Sequence, residues 1–205
     1  MAFANELTDL LNQTVCGNVR LTASVDKAEG VVVVQYRPTK TDLLRMEGIP
    51  VSLAGKTAPL YIGLQMRLRP DSSGKHLMVV TSVMLLCTDI ECSEELLHYD
   101  FEREKADSYP EAHLQVCATS PTWERLLKGR PLKRLHLPVG GRRFRPTLED
   151  LIEFLVVEKL AEGRPGWRTA LEKSRYDFQM IQLRAAIRRH PEVARDAVAA
   201  LDRGD

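Results

Sequence analysis

Strict alternation of apolar and polar side chains dominates the first 140 positions of the chain. Over residues 18–25, Val19, Leu21, Ala23 and Val25 take one side while Arg20, Thr22 and Ser24 take the other, the period-two signature of a half-buried strand. Residues 30–36 form a β-branched run that completes a hairpin with it. Leu60, Ile62, Leu64, Met66 and Leu68 then alternate with Tyr61, Gln65, Arg67 and Arg69, and Pro70-Asp71-Ser72-Ser73-Gly74 turns the chain into a second strand over 76–86. Leu97, Tyr99 and Phe101 oppose His98, Asp100 and Glu102. Ala112, Leu114, Val116 and Ala118 oppose His113, Gln115 and Cys117. A further strand over 133–139 sets Leu135, Leu137 and Val139 inward and His136 outward. Strands covered on both faces read as continuous apolar runs, so alternation on this scale predicts a largely antiparallel sheet with one covered and one polar face.

Helical spacing appears at the two ends. Leu7, Leu10, Leu11 and Val15 predict a short amphipathic helix over 5–14 behind an Asn5 cap. Residues 38–58 are rich in turn formers, with room for one or two helical turns over 41–46, and 122–127 reads as another short helix. Pro146-Thr147 followed by Asp150 resembles a capping box. It opens an apolar stripe of Leu148, Leu151, Ile152, Leu155, Val156 and Leu160 that runs to Gly163. Residues 167–189 carry two stripes, Trp167, Leu171, Phe178 and Ile181 on one and Tyr176, Met180, Leu183 and Ile187 on the other, before Pro191 breaks the helix and 192–201 makes a last one. The expected fold class is α+β, a largely antiparallel sheet covered on one face by C-terminal helices. The expected organisation is one domain over 1–205, with 1–140 mainly β behind an N-terminal helix and 146–205 helical.

Composition bounds the classes of function. With 205 residues, 44% of them hydrophobic, the chain can bury a substantial core. No apolar run reaches the roughly 18 residues that a membrane span requires, and Glu6 and Asp9 interrupt the first positions, so a cytoplasmic location without membrane association is expected. Cys16, Cys87, Cys92 and Cys117 form no Cys-x-x-Cys pair and read as reduced, packed thiols. The net charge is only +1, but its distribution is uneven. Residues 89–111 carry nine acids against two bases, and 125–145 carry eight bases and no acid.

Two groups of residues could carry chemistry. If the strands through 98, 113 and 136 are neighbours, His98, Asp100, His113, Gln115 and His136 share the polar face. Imidazoles there can serve as general acid and base, and Asp100 can orient one of them or complete a metal shell. The spacing matches no named metal motif, so metal-free histidine chemistry is expected, with no cofactor. The second group is Gly140-Gly141-Arg142-Arg143-Phe144-Arg145-Pro146-Thr147, a glycine turn whose Arg142, Arg143 and Arg145 lead into a helix N-terminus that suits phosphate. Alternatively, these arginines pair with the acidic stretch. There is no Gly-x-Ser-x-Gly elbow, dinucleotide-binding glycine motif or nucleotide-triphosphate loop.

Two functional readings follow. In the first, the protein binds RNA or DNA, or another phosphate-bearing ligand, as a metal-independent ribonuclease of toxin or defence type. His98, Asp100, His113 and His136 would be catalytic and Arg142, Arg143 and Arg145 would bind phosphate. In the second, it is a non-catalytic interaction module acting through its acidic loop and long helix, with a homodimer formed through 167–189.

Overall fold

The computed structural model describes residues 2–39, 42, 43, 45–52, 59–71, 74, 76–104, 110–118, 120–127, 132–140 and 145–204. Helix α1 (Ala2–Thr14) leads into strands β1 (Leu21–Asp26), β2 (Val31–Tyr36), β3 (Ile49–Pro50), β4 (Tyr61–Pro70), β5 (Leu77–Cys87), β6 (Glu95–Glu102) and β7 (Ala112–Val116). A short helix α2 (Pro121–Leu127), a 3-10 turn (Leu132–Arg134) and strand β8 (Leu137–Pro138) follow. Helices α3 (Leu148–Val157), α4 (Trp167–Arg189) and α5 (Pro191–Arg203) complete the order.

The strands form an antiparallel open sheet in the order β1-β2-β4-β5-β6-β7-β8, with β3 sharing the β2 edge of β4. The sheet and its helices make this an α+β fold, as alternation and helical spacing predict. Short connections between sequential neighbours give this arrangement directly. Two register shifts interrupt the ladders, between Arg67 and Leu68 where β4 meets β5, and between Leu86 and Cys87 where β5 meets β6. Such bulges add local twist and re-aim the side chains beside them.

The apolar face lies under α1 and α3. Leu7, Leu10 and Leu11 of α1 and Leu148, Leu151, Ile152 and Leu155 of α3 join Val34, Ile62, Leu64, Met66, Met84 and Leu86 in one core. Burying an aliphatic side chain of this size stabilises the fold by about 1.5–3 kcal/mol relative to leaving it exposed. Helix α3 starts where the sequence places it, with the Thr147 backbone N–H donating to Asp150 Oδ2 at 2.8 Å. It ends at Val157, short of Gly163, because Lys159 takes a left-handed φ of 57° and the Leu160 and Ala161 N–H groups both return to the Leu155 carbonyl. Helix α4 is tied to α3 by Arg175, which reaches Asp150 at 2.9 Å and Glu153 at 2.6 Å, and by Ser174, which donates to Glu149 at 2.6 Å.

Several sequence expectations change. Val25 is 67% exposed, since alternation assigns a side of the sheet and the edge strand β1 outruns its cover there. The strand expected over 133–139 is reduced to two residues after a 3-10 turn; Pro138, which has no N–H to donate, sits on the outermost strand. Strand β2 is buried on both sides. Thr41 and Leu44 of the suggested helical turns lie outside the described residues. Of the two stripes on α4 only the start of the first is packed, at Leu171 and Trp167, while Tyr176, Ile181, Leu183 and Ile187 remain exposed.

Burial pushes the Cys16 thiol up to about 12, and Cys87 is also raised, chiefly by its hydrogen bond to Cys92 at 3.1 Å. Among the described residues no helix is long and apolar enough to cross a membrane.

Ile152→Ala empties a fully buried position and is expected to lower the unfolding free energy by about 2–5 kcal/mol. Val25→Thr, at the exposed edge, stays within about 0.5 kcal/mol of wild type. Urea denaturation measures both, and equal losses would contradict this division between core and surface.

Candidate functional site

The face of the sheet opposite the core is polar and partly enclosed. Gly63 lies on it at a point of close approach: a Cβ there would come within 2.6 Å of Met46 Sδ, 2.9 Å of Leu85 Cδ1 and 3.1 Å of Cys92 Sγ. Beside it, Gln65 Nε2 donates to Gln35 Oε1 at 2.7 Å and to the Leu43 carbonyl at 3.0 Å. The chain between β2 and β3 therefore closes one end of the face. Further along it opens into a cavity of about 400 Å³, lined on one side by Arg67 and Arg69 of β4 and on the other by Asp100 and Glu102 of β6 and His113 of β7, with Thr81 of β5 among the residues between them.

Strand register assembles the histidines. Asp100 pairs directly with His113, and His98 with Gln115, across β6 and β7. Pro138 pairs with His113 across β7 and β8, which brings the preceding His136 alongside. The imidazoles of His113 and His136 meet edge to face with centroids 4.7 Å apart. His98 Nε2 and His113 Nε2 stand 3.5 Å and 3.6 Å from the same oxygen, Asp100 Oδ2. Asp100 Oδ1 is buried and has no hydrogen-bond partner among the described residues. His113 is only 3% exposed, so its orientation is held by packing.

The other ring nitrogens are anchored. His98 Nδ1 contacts Glu95 Oε1, and His113 Nδ1 lies 3.1 Å from the Pro110 carbonyl. A carboxylate and a carbonyl can only accept, so each Nδ1 carries a proton, and in the neutral form of each ring Nε2 is the unprotonated nitrogen that faces Asp100. Neither Nε2 comes within the 2.7–2.9 Å typical of a charge-assisted hydrogen bond to that carboxylate.

The four catalytic candidates of the polar face, His98, Asp100, His113 and His136, therefore come together, with Gln115 opposite His98. The arginines do not join them as a set. Arg142 and Arg143 lie outside the described residues. Arg145 is set over the Phe101 ring at 4.3 Å, with Arg103 on the same ring at 5.6 Å, and Phe101 alternates to the opposite face from Asp100. Burial and then the nearby charge of Arg103 draw its guanidinium below its usual range, to about 10.

Sequence reading missed Glu95 and the cavity arginines. Period two puts Glu95 on the core face, but β6 pairs Glu95 with Cys87 and Leu97 with Leu86, which skips Leu96 and allows Glu95 to reach His98. Arg67 and Arg69 share the alternating face of Gln65, a legible signal that a search for arginine clusters passes over. Arg67 pairs with Asp26 at 3.4 Å, and Arg69 donates to the Glu29 carbonyl at 3.2 Å.

No protein-family model, curated protein or solved structure matches the chain.

Proposed function

We propose that the protein binds a phosphate-bearing ligand, RNA foremost, in the cavity on its polar face and cleaves a phosphodiester there. The observation that carries this reading is one wall holding Asp100 and His113, with His98 and His136 against them, facing Arg67 and Arg69 across a single cavity. Guanidinium groups recognise phosphate oxygens and offset the charge that develops on them. Imidazoles are the side chains best suited to take a proton from a ribose hydroxyl and to return one to the leaving oxygen. Buried thiols at Cys16 and Cys87 suit the reducing cytoplasm in which such an activity would work.

In an assay with single-stranded RNA, His113→Ala and His136→Ala should each lower kcat by about 10²–10⁴-fold while leaving binding largely intact. Arg67→Ala should weaken binding and reduce its salt dependence by about one phosphate contact. Absence of RNA binding at low salt, or full cleavage by both histidine variants, would overturn the reading.

We propose a second role for the C-terminal helices. Val193, Val198 and Leu201 of α5 and Ile187 of α4 are all exposed, and a separate cavity of about 660 Å³ lies between the two helices. An apolar patch of this kind marks an interaction surface, and a second copy of the chain is the occupant we propose. Sedimentation velocity should give a dimer for the wild type and a monomer for Val198→Asp. A monomeric wild type would contradict the assignment.

A further inference from the structure

We infer that His98, Asp100 and His113 form a binding site for a first-row divalent transition-metal ion, with zinc as the best match. The inference deepens the phosphodiester reading and rests on it for the use to which the ion is put. The existence of the site rests on geometry alone.

One donor atom from each of the three residues lies within 4.8 Å of the other two. The contacts of each Nε2 with Asp100 Oδ2, at 3.5 Å and 3.6 Å, are too long for a strong hydrogen bond. They are close to the spacing of about 3.4 Å between donors that each sit about 2.0–2.1 Å from a tetrahedral ion. Because both Nδ1 atoms are engaged with acceptors, the Nε2 atoms are the nitrogens turned toward Asp100, and a cation placed among the three residues can be held by one donor atom of each.

The surroundings have the form of a built metal centre. A ligating histidine characteristically donates its second ring N–H to a carboxylate or a backbone carbonyl, and here Glu95 and the Pro110 carbonyl hold those positions. Asp100 keeps a second buried oxygen, Oδ1, without a partner among the described residues. All three ligands stand on directly paired strands, a rigid platform that holds them in position before any ion arrives. Two imidazoles and one carboxylate favour zinc, and related borderline ions, over calcium or magnesium, which prefer all-oxygen shells. Three protein ligands leave a coordination position for water or a phosphate oxygen, and two of them, Asp100 and His113, also line the cavity. No ligand pattern is visible in the sequence because residues 98, 100 and 113 meet through β6–β7 register rather than through helical or knuckle spacing.

The test uses the full chain, stripped with a chelator and titrated with Zn²⁺ by calorimetry and with Co²⁺ by visible absorption. The expected result is one ion per chain and Co²⁺ bands of four- or five-coordinate intensity. Affinity should fall at least about 100-fold in Asp100→Asn and His98→Ala, and about 10–100-fold in Glu95→Gln, whose carboxylate only orients His98. His76→Ala, at the far β4–β5 turn, should bind as wild type. Both His98 and Glu95 are partly exposed, so their variants remain informative if a substitution at buried His113 fails to fold. Absence of a stoichiometric ion, unchanged affinity in Asp100→Asn and His98→Ala, or a thiolate charge-transfer band that disappears in Cys92→Ser would each overturn the site. RNA cleavage by a stripped protein that takes up no stoichiometric Zn²⁺ overturns the metal inference and leaves the phosphodiester reading standing. Stoichiometric Zn²⁺ binding lost in Asp100→Asn, without any RNA binding or cleavage, supports the metal site and overturns the phosphodiester reading.

Discussion

The pairing of β6 with β7, in the register that sets Asp100 against His113, is the constraint from which the rest of the site follows. A slip of one residue would move every side chain of a strand to the other face. The core opposes any such slip. Phe101 and Ala112 face each other on the covered side at 3% and 1% exposure, and a slip would carry Asp100 or His113 into apolar surroundings. The same contacts that remove Phe101 and Ala112 from water therefore hold an imidazole beside a carboxylate on the opposite face.

The two faces of the sheet perform different work because they are covered differently. Helices α1 and α3 close the apolar face with aliphatic side chains and bury it in one core. Among the described residues, the polar face is closed at one end, where Gly63 allows Met46 and Cys92 to approach, and holds a cavity beside Asp100 and His113. Burying a histidine to the extent of His113 is tolerable because its Nδ1–H finds the Pro110 carbonyl. The residue is consequently fixed in orientation, with its Nε2 toward Asp100.

Much of this was legible in the sequence, since alternation is a direct consequence of strand geometry. The antiparallel sheet, the helical cover, the capping box at Thr147 and the shared face of His98, Asp100, His113 and His136 all follow from period two or period 3.6. Features that depend on a break in the period were not legible. The skipped Leu96 brings Glu95 to His98, and no local residue type announces that bulge. The end of α3 at Lys159 uses a left-handed non-glycine residue where the obvious stop signal was Gly163. The cavity that joins Arg67 to His113 is lined from β4, β5, β6 and β7 together, and the pattern of a single strand does not report it.

The central claim is that two histidines, in their neutral form, turn unprotonated Nε2 atoms toward one aspartate, and imidazole tautomers report on this directly. Long-range ¹H–¹⁵N correlation spectra of the chelator-stripped protein, recorded where the rings are neutral, distinguish a proton on Nδ1 from one on Nε2. The account predicts the Nδ1–H tautomer for both His98 and His113. An Nε2–H tautomer at either residue would mean that Asp100 is already satisfied by a proton, and it would contradict the assembly of this site.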